Sequence, residues 1–472
     1  MPRRGHRNGE QDSQAEKTTE KERRRRTEQH KERIMTKEEI VSAHGEYNLQ
    51  SWSKQKGLSP IAVRNGDGLY FWDMDGKRYS DMSSQLVNLN LGHGNRAIID
   101  AIKEQAEKYC YISPGYASES RSQLAKDLVS FLPDTFGKIF FTNGGADANE
   151  NAVKIARMYT GRHKIFSRYR SYHGSTFGAG NLTGEPRRYP LEPGIPGFVK
   201  FFDPYLYRDG LDETDQEKAS KQYLARLREQ IIYEGPDSVA AIVIETVTGS
   251  NGVIIPPSGY LPGLRALCDE FGILLICDEV MAGFGRTGAM FAFENWGIKP
   301  DLVTFAKGVT CGYVQLGGVA VSSKIAAHFD DAVLSCGLTY SGHPLACAAG
   351  VACVRYYGEH GILENAKERG KTLSSLLQNI QTAHPGVGDV RSIGLFAAVE
   401  LVKDKKTREP LVPYGKDPEG IMKAILRRLA AKGFMTYSHE NMIIVAPPLI
   451  ITDDQLVEEL AKLDEALTEA GL

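Results

Sequence analysis

The sequence has few of the features that mark secreted, membrane-spanning or metal-binding proteins. Its seven cysteines show no paired CxxC spacing, so neither a disulfide framework nor a zinc site is expected. No apolar run is long enough to span a bilayer, and the first residues lack the hydrophobic centre of a signal peptide. We therefore expect a soluble, cytoplasmic protein with reduced cysteines and no metal.

The charge is nearly balanced, with a formal net value of -2, so nucleic acid is not expected as the main partner. Residues 1–34 are the exception to an otherwise ordinary composition, because they contain almost no large apolar side chains and carry four arginines at 23–26. This segment is predicted to be disordered or a frayed helix. It is either a nucleic-acid or targeting arm or an extension upstream of a start at Met35, and we favour the extension.

The 472 residues can bury a large core, and their pattern predicts two domains beyond the charged tail. In the middle of the chain, apolar strands punctuated by glycine alternate with amphipathic helices, which is typical of a mostly parallel sheet covered on both faces. A small antiparallel meander is expected near Asp67-Gly68 and Asp75-Gly76. The predicted divisions are a tail, an N-terminal segment with part of the small domain, a large domain, and a C-terminal small domain, at 1–34, 35–96, 97–345 and 346–472.

The most informative residues are an acid at the end of an apolar strand and a lysine a short distance further along the chain. Asp278 ends the run Leu274–Asp278, and Lys307 follows Phe305-Ala306. An acid at the carboxyl end of a buried strand can pair with a protonated pyridine nitrogen, and a lysine nearby can bond covalently to an aldehyde. Together they predict a pyridoxal-phosphate site in which Asp278 holds the ring nitrogen and Lys307 is both anchor and base.

Several further strings carry a resemblance to a known family. They include Gly92-His93-Gly94 and the segments 141–150, 171–176 and 338–344. With the Asp278 and Lys307 motifs they resemble the class III, or omega-type, aminotransferases, over the chain from about Thr36 onward. The resemblance implies an α/β protein of fold type I of the pyridoxal-phosphate enzymes. Such a protein is expected to have a large domain with a mostly parallel seven-stranded sheet sandwiched by helices, and a smaller α/β domain built from both chain ends.

The resemblance also implies how the cofactor is held. Backbone N–H groups of Gly144, Gly145 and Ala146 are expected at the phosphate, although the family usually has serine at 144 and 146. Thr339 is expected to reach the phosphate of the neighbouring subunit, which implies a homodimer with shared active sites. The remaining contacts are expected from the ring-facing Tyr172 and Val280, from His173 beside Asp278, and from Glu245 near the substrate pocket.

The substrate is the least determined part of the prediction. Many family members bind a carboxylate with an arginine close to the segment matching Ala446–Leu449, and here neither candidate position, Tyr437 nor Ile444, is an arginine. Segments 83–88 and 168–173 look most similar to taurine aminotransferases. We therefore expect taurine as donor and 2-oxoglutarate as acceptor, with pyruvate as a second acceptor. The candidate anion-binding residues are Arg168, Arg170, Arg391, Trp52, Gln85 and Tyr437.

Two groups of alternatives stay open at this point. Within the fold, the chain is also compatible with a β-alanine, 4-aminobutyrate or diamine aminotransferase, or with a mutase or decarboxylase that uses the same cofactor. The second alternative is that the protein is not an enzyme but a non-catalytic cofactor-binding or regulatory module. Retention of both Asp278 and Lys307 argues against the second group, since a module without catalysis has no physical need for that pair.

Overall fold

The structure, a computed structural model, describes residues 35–472, so the tail predicted for residues 1–34 lies outside the described part of the chain. The chain divides into two compact units. Of the described residues, the first unit holds 35–65 and Trp72–Lys77, and the second holds Gly66–Phe71 and Arg78–Leu472. A capping box of Thr36 and Glu39 opens the helix of the first unit.

The helices and strands have the following bounds. The strands are β1 Val63–Asp67, β2 Tyr70–Asp73, β3 Arg78–Asp81, β4 Phe136–Thr142, β5 Lys164–Arg168, β6 Phe198–Phe201, β7 Val239–Glu245, β8 Leu274–Asp278, β9 Leu302–Phe305, β10 Gly317–Ser322, β11 Val387–Ile393, β12 Phe396–Asp404, β13 Glu409–Pro410, β14 Phe434–Met435, β15 Ser438–His439 and β16 Met442–Val445. The helices are α1 Lys37–Tyr47, α2 Ser84–Val87, α3 Arg96–Lys108, α4 Glu119–Ser130, α5 Gly145–Thr160, α6 Phe177–Leu182, α7 Leu206–Asp209, α8 Gln216–Glu234, α9 Tyr260–Phe271, α10 Ser323–Asp331, α11 Pro344–Glu359, α12 Ile362–Ala383, α13 Ile421–Ala431 and α14 Asp453–Glu469. Over residues 35–472, no helix combines the length and apolar character needed to cross a membrane.

A seven-stranded sheet forms the centre of the second unit, in the order β4-β10-β9-β8-β7-β5-β6. Strand β10 runs antiparallel to both of its neighbours, and the other pairs are parallel. Every residue of β7 and β8 is buried, which is why these strands read as continuous apolar runs rather than alternating ones. The predicted seven-stranded, mostly parallel sheet is thereby confirmed.

The register of three central strands creates a row of polar side chains at one edge of this sheet. Glu245 ends β7 opposite Asp278, which ends β8, and Asp278 in turn lies opposite Thr304 of β9. In parallel sheets the carboxyl ends of the strands meet at the edge where ligands bind. Lys307 follows β9 by two residues, so the sheet itself brings the predicted acid and lysine to the same edge.

The C-terminal part forms a second sheet in the order β11-β12-β16-β15, with β13 paired to β12. Two long helices of this part, α14 and α12, are absent from the sequence interpretation. In α12 the buried residues recur every three or four positions. Gly370 lies in its middle, and a side chain there would come within 2.6 Å of the Gly394 carbonyl oxygen. Glycine weakens a helix, but it is required at this position because the backbone between β11 and β12 packs directly against it.

Arg286 has a structural role in the fold. Its side chain is fully buried and donates hydrogen bonds to the carbonyl oxygens of Leu395 and Pro447, at 2.8 and 2.6 Å. It also donates to Ser84 Oγ at 3.1 Å and to Asn90 Oδ1 at 2.8 Å. The guanidinium thus joins segments from three parts of the chain and is already committed to neutral acceptors.

Candidate active site

Asp278 lies at the centre of a buried hydrogen-bond network. Its Oδ2 accepts from Asn149 Nδ2 at 2.8 Å and lies 2.7 Å from His173 Nδ1, while its Oδ1 accepts from the Val280 N–H at 3.0 Å. Because a carboxylate only accepts hydrogen bonds, His173 carries its proton on Nδ1. Thr304 donates to Asn149 Oδ1 at 2.8 Å and so turns the amide nitrogen toward Asp278. These donors hold the carboxyl group of Asp278 in one orientation.

Lys307 occupies a strained and desolvated position on the same cavity. Its φ of 44° lies in the left-handed region, which a side-chain-bearing residue adopts only when its surroundings impose it. The next residue is enclosed, since a side chain on Gly308 would come within 2.6 Å of Phe284, and the Gly308 carbonyl accepts from the Tyr357 hydroxyl at 3.0 Å. Burial lowers the pKa of Lys307 to about 8, against the opposing influence of the Asp278 and Glu245 carboxylates.

The start of helix α5 offers an anion site on the cavity wall. Gly144, Gly145 and Ala146 line the cavity, and Gly144 provides no side-chain cap for the first N–H groups of this 16-residue helix. Uncapped N–H groups and the helix dipole both favour a phosphate. Gly145 has to lack a side chain, because a Cβ there would lie 2.8 Å from Val280 Cγ1.

A hydrogen bond joins Tyr172 and Glu245 on another wall of the cavity. Both line a cavity of about 930 Å³ that also includes Asp278, Lys307 and His173. Glu245 Oε1 accepts from the Tyr172 N–H at 2.9 Å, and its Oε2 accepts from the Gly249 N–H at 2.7 Å. Burial raises the pKa of Glu245, and its charge acts on Lys307. Glu245 thus fixes the backbone that carries the aromatic ring.

The arginines predicted for the substrate anion are engaged elsewhere. Arg168 is fully buried, where its guanidinium donates to the Glu245 carbonyl and lies 3.8 Å from Asp203. Arg170 donates to Glu440 at 3.3 Å, and Arg391 is paired with Glu400 at 2.7 Å. None of the three belongs to the cavity lining.

Other predicted contacts also lie off the cavity lining. Gln85 is exposed and donates its side-chain N–H to Asp81 at 2.9 Å. Trp52, in the first unit, is 63% exposed. Thr339 is exposed, and its carbonyl accepts from the Tyr111 hydroxyl at 2.8 Å. The roles predicted for these three residues stay predictions.

Arg187, which the sequence interpretation missed, is a cation that is not itself part of the cavity lining but contacts two residues of that lining. Its guanidinium carbon lies 3.9 Å from the centre of the Tyr172 ring, and its Nη2 donates to Ser250 Oγ at 3.3 Å. Tyr172 and Ser250 both line the cavity, and the positive charge of Arg187 lowers the pKa of Lys307. No motif identifies this arginine, which lies in the short 3₁₀ helix Pro186–Leu191 and contacts Tyr172 only in the folded chain.

The residues of the cavity lining fit pyridoxal phosphate: an uncapped helix start for the phosphate, an acid at the end of β8, a lysine just after β9, and the aromatic side chain of Tyr172. A family model described as aminotransferase class-III matches residues 52–467. The chain belongs to this family. It is accordingly a pyridoxal-phosphate-dependent aminotransferase of fold type I, as the sequence predicted.

Three similar proteins, each named for its substrates, align with most of this chain. A solved taurine:2-oxoglutarate aminotransferase from Bifidobacterium kashiwanohense, in complex with PLP and glutamate, shares 56% identity and a TM-score of 0.91, covering 93% of this chain and 98% of that one. A taurine–pyruvate aminotransferase from Bilophila wadsworthia is 32% identical over 92% of this chain and 97% of its own length. A diaminobutyrate–2-oxoglutarate transaminase from Halomonas elongata is 31% identical, with coverages of 92% and 96%.

Replacing Asp278 with asparagine is expected to lower the donor half-reaction rate by on the order of 10² to 10³-fold, because it removes a preorganised charge. Cofactor content, read from visible absorbance, is expected to stay near one per subunit. Asp269→Asn is the matched control, since that acid pairs with Arg265 away from the cavity. Unchanged rates in Asp278→Asn would contradict the assigned role.

The pKa of about 8 for Lys307 predicts how the apo-protein takes up pyridoxal phosphate. Only the neutral amine attacks an aldehyde, so the rate of covalent capture, trapped with borohydride, should rise about tenfold per pH unit below pH 8 and level off above it. Lys307→Ala is the control and should trap none. A rate that keeps rising to pH 10 would show that the amine is not desolvated.

Proposed function

We propose that the protein transfers the amino group of taurine to 2-oxoglutarate, forming sulfoacetaldehyde and glutamate in two alternating half-reactions. The observation that carries this proposal is the Arg187 guanidinium, which contacts two cavity-lining residues and whose charge acts on Lys307. Taurine places a sulfonate two carbons from its amine, so an enzyme that uses it needs a cation near the lysine. The 56% identical structure, described as a taurine:2-oxoglutarate aminotransferase, supports the same choice.

Tyr437 is a neutral donor that lies outside the cavity lining but within the electrostatic influence of this cation. Burial raises the pKa of Tyr437, so its hydroxyl stays protonated at neutral pH, and the charges of Arg187 and Glu245 both act on it. A sulfonate has three oxygens in a pyramid and accepts hydrogen bonds from several directions, so a guanidinium and a phenol suit it. The distal carboxylate of 2-oxoglutarate would use the same two donors in the second half-reaction.

Each of the other residues has a separate task in this proposal. Bound pyridoxal phosphate supplies an electron sink for the carbon that loses a proton. Asp278 keeps the pyridine nitrogen protonated, and the N–H groups of Gly144 to Ala146 hold the phosphate. Lys307 Nζ would take the proton from the amine-bearing carbon of the donor and deliver it to the bound cofactor, which its lowered pKa permits at neutral pH.

Other substrates are alternatives to the proposed acceptor and the proposed donor. Pyruvate is the alternative acceptor, as the name of the Bilophila wadsworthia relative indicates for that enzyme, and a diamine is the alternative donor suggested by the Halomonas elongata enzyme. A diamine would place a second positive charge near Arg187, which disfavours it. We also propose a homodimer in which the exposed Thr339 contacts the phosphate of the neighbouring subunit.

Donor preference is the direct test of this function. Taurine, β-alanine, 4-aminobutyrate and putrescine are each added to the holoenzyme, and loss of the visible cofactor band is followed. We expect the kcat/KM for taurine to exceed that of each of the others by about tenfold or more, because the anion site is built around one chain length and head group. A higher value for putrescine would overturn the proposal, and recovery of the band with 2-oxoglutarate or pyruvate identifies the acceptor.

Arg187→Ala is expected to lower kcat/KM for taurine by on the order of 10 to 100-fold, since a charge-assisted hydrogen bond is worth about 1.5–3 kcal/mol. Propylamine, which has no anionic end, should be affected less than threefold. Lys299→Ala is the matched control, because that lysine pairs with Asp134 at the surface. Equal losses for taurine and propylamine would mean that Arg187 does not recognise the anion.

A further inference from the structure

Arg187 is held in place by a carboxylate that is not part of the cavity lining. Glu185 is fully buried, and its Oε1 accepts a hydrogen bond from Arg187 Nε. With the Nη2 bond to Ser250 and the face-on contact with Tyr172, this gives the guanidinium three separate restraints. Two in-plane bonds and one stacked ring determine both the direction and the plane of the group. Its orientation is therefore set before any substrate arrives.

The segment that carries Glu185 is rigid for local reasons. Gly184 lacks a side chain because a Cβ there would clash with the carbonyl oxygens of Arg168 and Tyr169. Pro186 follows Glu185 and opens a 3₁₀ turn in which the Arg188 N–H donates to the Glu185 carbonyl at 3.0 Å. Proline fixes one backbone dihedral at the point where the carboxylate must be aimed. Glu185 therefore presents its carboxylate to Arg187 from a constrained backbone.

The other carboxylate oxygen faces a second group of polar residues. Glu185 Oε2 lies 3.3 Å from His439 Nε2, and this nitrogen is 3.8 Å from Glu440 Oε1. Glu440 in turn is bonded to Arg170 at 3.3 Å. Burial lowers the pKa of His439 to about 4, so this histidine is neutral, and burial raises the pKa values of Glu185 and Glu440, that of Glu440 to about 7. The guanidiniums of Arg187 and Arg170 oppose this effect and favour the ionised carboxylates.

We propose that Glu185 is a positioning residue that sets the affinity of the active site for the anionic end of its substrates. By engaging Nε, Glu185 directs any bound anion to the terminal nitrogens of Arg187. This inference rests on the proposed function, in which Arg187 binds the sulfonate. Loss of Glu185 would leave the charge of Arg187 in place and remove one of the restraints on its orientation, so the expected defect is in substrate affinity.

The test compares Glu185→Ala and Glu185→Gln in two backgrounds, the unaltered holoenzyme and Arg187→Ala. The KM and limiting rate of the half-reaction are measured with taurine and with propylamine. We expect Glu185→Ala to raise the taurine KM about tenfold, with a limiting rate changed less than threefold, because contacting residues couple strongly. Propylamine should be unaffected, and Glu185→Ala should add nothing in the Arg187→Ala background. Glu185→Gln should have a smaller effect, since its amide oxygen still accepts from Nε.

A merely structural role for Glu185 predicts different results. It would raise the KM of propylamine as much as that of taurine, or give the same loss when Arg187 is absent, and either result overturns the inference. Where Glu185→Ala does not yield holoenzyme, Glu185→Gln decides by the same two comparisons, a rise of about two- to fivefold being expected. Glu192→Gln is the matched control, because this exposed glutamate pairs with Arg188 in the same segment.

Different results would overturn Arg187 as the anion site and Glu185 as its positioning residue. If Arg187→Ala leaves the taurine KM unchanged, then Arg187 is not the anion site, and the proposed function loses its main support. If Arg187→Ala raises the taurine KM but Glu185→Ala does not, only the positioning role of Glu185 is overturned.

Discussion

The alignment of three parallel strands is the constraint on which the rest of the site depends. Glu245, Asp278 and Thr304 stand opposite one another because β7, β8 and β9 are in register at their carboxyl ends. Thr304 orients Asn149, which together with His173 fixes Asp278, while Glu245 fixes the backbone of Tyr172. A slip of one residue in any of these strands would turn one of the side chains to the other face of the sheet.

Two charge systems of opposite character share the cavity. The carboxyl group of Asp278 accepts hydrogen bonds from its neighbours, and beside Tyr172 the Arg187 guanidinium donates to Glu185. Lys307 is under the influence of both, since Asp278 raises its pKa and Arg187 lowers it. Burial determines the net result, and the lowered pKa leaves an appreciable fraction of the amine neutral near physiological pH, as proton transfer requires.

Much of this could be predicted from the sequence, because the cofactor residues lie in contiguous motifs at strand ends. The strand Leu274–Asp278 is predicted with its observed bounds, since it is a buried apolar run. The anion site could not be predicted in the same way. Arg187 belongs to no recognisable sequence motif. Its position is set by contacts with Tyr172, Glu185 and Ser250 that form only in the folded chain.

The most direct measurement is a crystal structure of the holoenzyme with taurine bound, using the Lys307→Ala protein so that the donor is not consumed. The account predicts the sulfonate oxygens within hydrogen-bond distance of the terminal nitrogens of Arg187, with Nε still bonded to Glu185. A sulfonate bound by Arg170 or Arg391 instead, with Arg187 making no contact to it, would contradict the account.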